Sequence, residues 1–264
     1  MRIVSYRRDD GQVRFGIVDG SSVLDAGTEL DAIHAGAVVG SMDDVALLAP
    51  IPKPGKVMCV GRNYAEHAAE TGSDVPDRPQ LFAKFANAIV GPRDDVIHPS
   101  ITRALDYEAE LVVVIGRRAS QVPEARALDV VLGYTCGDDI SARDLQFGDA
   151  QWLRGKSLDT FAPMGPWIVT ADEIPDPQAL PIRCIVNGET RQDDTTANMV
   201  FSVAQIIAFV TEAITLEPGD VIFTGTPPGV GFGMNPITYL AVGDHVRVEI
   251  DAIGTLEHDI VAPR

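Results

Sequence analysis

The stretch Asp106–Gly116, DYEAELVVVIG, constrains this chain more than any other. Its aliphatic and β-branched run Leu111–Ile115, closed by Gly116, predicts a buried strand. Side chains alternate along a strand, so Asp106, Glu108 and Glu110 are expected on one face. Three carboxylates leading into a buried run repel one another and are costly to desolvate. Two arrangements resolve the conflict. Either this end of the strand reaches solvent, the usual place for Asp and Glu, or a divalent cation sits among the oxygens, as hard cations such as Mg²⁺ prefer.

The other residues bear on that choice. The chain has 264 residues and is 45% hydrophobic, enough for a sizeable core in one large domain or a large and a small one. It carries 21 Lys plus Arg against 38 Asp plus Glu, a formal net charge of −17. That balance argues against a nucleic-acid or anionic-membrane surface, which needs basic patches. A cation beside the carboxylates is then a candidate contact for an anionic substrate. Cys59, Cys136 and Cys184 are dispersed. Such an odd, unclustered set suggests reduced thiols and a cytoplasmic location. The opening MRIVSYRRDDGQ lacks the apolar core and cleavage pattern of a signal peptide. No apolar run approaches the ~18 residues of a membrane span.

Residues 2–7, 13–18 and 22–25 are strand-like runs separated by the turn sequences DDGQ and DGSS. Residues 29–49 are predicted helical in pieces. The Pro- and Gly-rich IPKPGK then marks a boundary near residue 52. A small β-rich N-terminal domain, 1–52, is expected to pack on a main body, 53–264. In that body a short helix is predicted over Tyr64–Glu70, with Asn63 as N-cap and Gly72 as stop. His67 and Glu70 share a face of it. They suit either a general base oriented by a carboxylate or an ordinary surface ion pair. A short helix between glycine-bearing loops can also be a mobile lid.

Asp139 is expected in a loop just after a buried strand. Both ligand positions and simple Asp-Gly turns are common there. Gly155-Lys156-Ser157 resembles the end of a phosphate-binding loop, but Ala150 stands where that motif needs glycine and prolines follow. Lys156 is therefore a structural cation or a contact to a substrate carboxylate. Asn187-Gly188 predicts a hairpin turn, and Ser202 with Gln205 a capping box opening a core-facing helix. Gly225, Gly229, Gly231 and Gly233 suggest a nucleotide loop, which Pro227 and Pro228 exclude. That loop can still offer Thr226 and backbone N–H groups to a carboxylate. His245 and His258, in a closing two-strand segment, are expected at the surface. Many short strands, few helices and no β–α alternation predict a mainly β, α+β chain, mixed but mostly antiparallel.

Taken together, GRNYAEHAAE, DYEAELVVVIG, GDDISARDLQ, GKSLDTFAPMGP and GDVIFTGTPPGVG resemble the fumarylacetoacetate hydrolase family over about residues 55–262. The resemblance implies a rolled, mostly antiparallel β-sheet core with few helices, behind a small N-terminal β-rich domain. It implies Mg²⁺ or Mn²⁺ held by Glu108, Glu110 and Asp139, with Asp106 behind them. His67 and Glu70 match a dyad on a lid helix, and Lys156 a lysine facing the metal. Arg62, Lys84, Arg143, Gln146 and Thr226 match positions near a 2-oxo or 2,4-dioxo acid substrate. Homodimers or higher homo-oligomers are expected. The expected reaction is hydrolytic C–C cleavage of an acylpyruvate or related 2,4-diketo acid, releasing pyruvate. The same enolate chemistry would serve oxaloacetate decarboxylation or hydroxymuconate-type isomerisation, including that of 2-hydroxyhepta-2,4-diene-1,7-dioate. A catalytically silent metal-binding protein is the remaining alternative.

Overall fold

A computed structural model describes residues 1–263. The chain is mostly β, as its short alternating runs predict, and its longest α-helix, Val203–Thr211, has nine residues. One sheet of 12 strands dominates. Its path runs from Val38–Ser41 through Ser22–Asp25, Val13–Asp19, Arg2–Arg7, Ala162–Thr170, Val131–Asp138, Ala109–Ile115, Val221–Phe223 and Val57–Gly61 to Gln80–Lys84. Nearly all of these neighbours are antiparallel. Val221–Phe223 and Val57–Gly61 run parallel. A second, five-stranded sheet contains the hairpin Pro181–Val186 and Glu189–Thr195, then His245–Ile250, Gly254–Val261 and Val96–Ile97. Asn187 and Gly188 turn that hairpin with φ of 52° and 81°, as an Asn-Gly turn requires.

The first fifty residues enter the main sheet directly, since Arg2 and Ile3 pair with Val169 and Ile168. Residues 29–49 differ from the helical expectation. They hold one 3-10 turn, Leu30–Ala32, and the strands Val38–Ser41 and Ala46–Leu48. No residue of that turn is fully buried; at the turn Leu30 and Ile33 alone pack partly on the core, too short a stripe to stabilise a helix. The β-branched pair Val38–Val39 instead lies along Ser22–Asp25.

At the centre lies the acidic strand, Ala109–Ile115, buried throughout. Its neighbours are Val131–Asp138 on one side and Val221–Phe223 on the other. The strand starts later than its sequence suggests. Leu105–Asp106 leaves the sheet and pairs with Ser141–Ala142 in a separate ladder. The physical reason is at Glu108, whose N–H donates to the side chain of Asp138 and not to a backbone carbonyl of the neighbouring strand. Asp106 thus sits apart from the two glutamates.

Candidate metal centre and active site

The acidic end of this strand is not solvated. Asp106, Glu108, Glu110 and Asp139 are all buried. Asp106 is occupied by the protein itself. Its Oδ1 accepts from Gly231 N at 2.7 Å, and its Oδ2 from Phe232 N at 3.0 Å and Arg143 Nε at 2.8 Å. It fastens the Gly-rich loop and orients Arg143.

Glu108, Glu110 and Asp139 converge. One oxygen from each lies within 4.8 Å of the others, within reach of a single cation. Glu108 Oε1 accepts from Arg143 Nη1 at 2.6 Å and Oε2 from Lys156 Nζ at 2.8 Å. Lys156 Nζ also reaches Asp139 Oδ2 at 2.9 Å. Glu110 Oε2 accepts from Gly225 N at 2.7 Å. That N–H is offered at φ 98°, where a Cβ would sit 2.7 Å from Asn63 Cβ, so the position demands glycine.

The electrostatics divide the cluster. Burial raises the Glu108 carboxyl, but the Lys156 ammonium and the Arg143 guanidinium outweigh it and hold Glu108 well below the usual carboxylate range. Burial, then the charges of Asp139 and Glu108, push Glu110 far above that range. Burial disfavours the Lys156 ammonium, yet Asp139 and Glu108 keep its pKa raised. The Lys156 charge only partly offsets the rise at Glu110. Asp139 Oδ1 is ion-paired with Lys84 Nζ at 2.6 Å, and Lys84 also donates to the carbonyls of Ile140, Lys156 and Phe161. Three buried carboxylates converging with oxygen atoms alone, one of them pushed towards its neutral form by its neighbours' charges, fit a hard divalent cation.

Beside this cluster stands the short helix Ala65–Glu70. His67 Nδ1 donates to Glu70 Oε1 at 2.9 Å, and Glu70 Oε2 accepts from Gly229 N at 2.9 Å. With Nδ1 so engaged, Nε2 is the nitrogen left for chemistry. Asn63 is not the N-cap; Tyr64 occupies that position without a side-chain bond. The Asn63 amide instead donates to the carbonyls of Phe201 and Thr224 and accepts from Phe201 N, so it ties the lid's root to two distant segments. His67, Glu108, Arg143 and Lys156 all line one cavity of about 40 Å³.

The sequence profile described as "Fumarylacetoacetate (FAA) hydrolase C-terminal" matches residues 56–261. The chain belongs to the fumarylacetoacetate hydrolase family. It is 45% identical over 236 residues to a Xenopus laevis protein named "Oxaloacetate tautomerase fahd2, mitochondrial", covering 89% of this chain and 74% of that one. Among solved structures it is similar to the fumarylacetoacetate hydrolase of Exiguobacterium antarcticum, at 38% identity and a TM-score of 0.89 over 100% of both chains. It is also similar to the 5-carboxymethyl-2-hydroxymuconate delta-isomerase of Mycobacterium smegmatis, at 38% identity and a TM-score of 0.84 over 100% of both chains.

In this member of the hydrolase family the remaining candidates divide. Arg62, Gln146 and Thr226 line the cavity with His67. Arg62 has φ 56° and its guanidinium stands 5.6 Å over the Trp152 ring. Gln146 Oε1 accepts from Arg143 Nη1 at 3.1 Å. Thr226 Oγ1 donates to Ala109 O at 2.9 Å and accepts from Gln192 Nε2 at 2.8 Å, which secures the loop to the acidic strand. Lys84 does not line the cavity; its ammonium is enclosed by carbonyls and Asp139. Sequence reasoning missed the aromatic wall of Phe82, Phe147 and Trp152. It also misplaced His258, which is buried and not at the surface. Leu256, His258 and Ile260 occupy the inward phase of one strand, and that period of two was the available signal.

Proposed function

We propose that this protein is a divalent-metal-dependent keto–enol tautomerase acting on oxaloacetate or a similar 2-oxo dicarboxylic acid. The observation that carries the reading is His67, held by Glu70, sharing a cavity with Glu108 and Lys156. The name of the frog relative and the isomerase name of one structural neighbour support proton transfer as the reaction type.

A divalent cation on Glu108, Glu110 and Asp139 would supply Lewis acidity toward the 2-oxo acid end of the substrate. The chain's own residues do the rest. His67 Nε2 takes a proton from C3, while Glu70 holds the ring and stabilises its charged form. Lys156 supports the negative charge that develops on the C2 oxygen. A proton is then delivered to that oxygen. One proton leaves carbon and one arrives at oxygen, so the reaction needs no redox partner. Arg143, with Nη2 unpartnered, can receive a substrate carboxylate.

C–C hydrolysis of an acylpyruvate is the second reading, because the same dyad could activate a water and the cavity has room for one. The test follows oxaloacetate ketonisation by loss of enol absorbance with Mg²⁺, alongside pyruvate release from oxaloacetate and a panel of acylpyruvates. His67→Ala should lower tautomerisation by about 10²–10⁴-fold, as loss of a general base does, and leave Mn²⁺ affinity intact. Pyruvate release from an acylpyruvate without catalysed ketonisation would establish the hydrolase instead. A cytoplasmic homodimer belongs to the same proposal; cell fractionation and light scattering test it.

A further inference from the structure

We propose that Asp138 and His258 are a positioning pair that sets the metal ligands from the face opposite the substrate. The inference rests on the metal reading of Glu108, Glu110 and Asp139. Asp138 and Asp139 are adjacent at a strand end, so their side chains leave in different directions. Asp139 joins the ligand cluster. Asp138 turns the other way and is fully buried. Its Oδ1 accepts from Glu108 N at 2.8 Å. Its Oδ2 accepts from His258 Nε2 at 2.9 Å. A second bond, Asp139 N to Glu108 O at 2.9 Å, closes the link between the two ligand-bearing segments. Glu108 therefore has its backbone held by Asp138 while its side chain faces the cation.

The hydrogen bond reaches across the fold. His258 stands on Gly254–Val261 in the five-stranded sheet, 120 residues along the chain from Asp138. Its Nδ1 has no partner, so the ring's one hydrogen bond goes to Asp138. A histidine in a buried strand phase, with no other bond, is well placed to orient that carboxylate. A carboxylate held at both oxygens has no freedom to rotate away from Glu108 N. Metal sites depend on such outer partners, whose loss typically weakens metal binding about 10–100-fold.

Mn²⁺ titration followed by electron paramagnetic resonance, on the full-length protein well below each variant's unfolding midpoint, tests the pair. Asp138→Asn keeps an acceptor for Glu108 N and can still bond the imidazole, so its Kd should stay within about threefold of wild type. Asp138→Leu and His258→Leu should bind about 10–100-fold more weakly. His258→Gln, which keeps a donor of different reach, should fall between. Val248→Ala is the control: it removes buried bulk from the same sheet without touching Asp138, and should bind as wild type. A flat series, or a Val248→Ala loss equal to that of His258→Leu, overturns the pair. Should His258→Leu fail to fold, the order of Asp138→Asn, His258→Gln and Val248→Ala decides. A wild-type protein that binds no Mn²⁺ would instead sink the metal reading itself.

Discussion

Lys156 answers to Glu108 and Asp139 at once, with 2% of its side chain exposed. Replacing it by Met would strand two buried carboxylates. Metal-free Lys156→Met should lose about 3–5 kcal/mol of stability, the usual effect of breaking a buried pair. Added Mn²⁺ should restore much of it, which thermal melts with and without the ion will resolve. An unchanged metal-free melt would mean that Lys156 carries no such charge balance. Glu110→Gln would take the negative charge from one of the three candidate ligands. Its Mn²⁺ Kd should rise about 100-fold or more, beyond the ~10–100-fold range of outer partners. At this scale the sequence was readable where neighbours are close along the chain. Glu108 and Glu110 announce themselves by spacing, and His67 and Glu70 by theirs. Asp138 did not, because its partner His258 is distant in sequence and only the fold joins them.

The short helix Ala65–Glu70 and the Gly-rich loop are joined through Glu70. Glu70 bonds Gly229 N, and a Cβ on Gly233 would sit 2.6 Å from Glu70 Oε2. Gly233→Ala should therefore push the carboxylate off His67. A drop in kcat of up to about 10²-fold is expected, the scale of a 1 Å misplacement, with Mn²⁺ affinity unchanged; equal losses in both would point to general damage of the loop. Between the strands Val13–Asp19 and Ser22–Asp25, the Arg14 guanidinium bonded to Asp25 holds that carboxyl at about 2, below its ordinary 3.8. A lowered carboxyl contributes stability above pH ~4 that is lost as pH falls towards about 2. Asp25→Asn should cost roughly 1–2 kcal/mol at pH 7, after allowance for partial exposure of the pair, and the gap to wild type should close in acid denaturation curves near pH 2. Local signals served these elements well. The Ser202–Gln205 capping box and the Asn187-Gly188 turn form as their residues dictate. Residues 29–49 misled because their apolar residues, among them Leu30, Ile33, Met42 and Leu47, pack on the core from a 3-10 turn and strands, not from one face of a helix.

For the molecule as a whole, a buried cation should act as a tie between segments. At 100 times its Kd, Mn²⁺ should add about 2.7 kcal/mol, raising Tm by roughly 5–10 °C for a chain of this size. Calorimetry with Mn²⁺ and then with excess chelator checks the rise and its reversal; no shift would leave the oxygen cluster without its ion. Fold class was legible from strand count and alternation, but topology was not. Nothing in the composition of Arg2–Arg7 says that it will lie beside Ala162–Thr170, with 12 strands in one surface. That neighbourhood has an outcome for anyone who trims the chain. Cutting away residues 1–50 would lay bare a row of unpaired amides and carbonyls at Ile168–Val169, a template for strangers to dock against, and the shortened protein should clump where the full one stays dispersed.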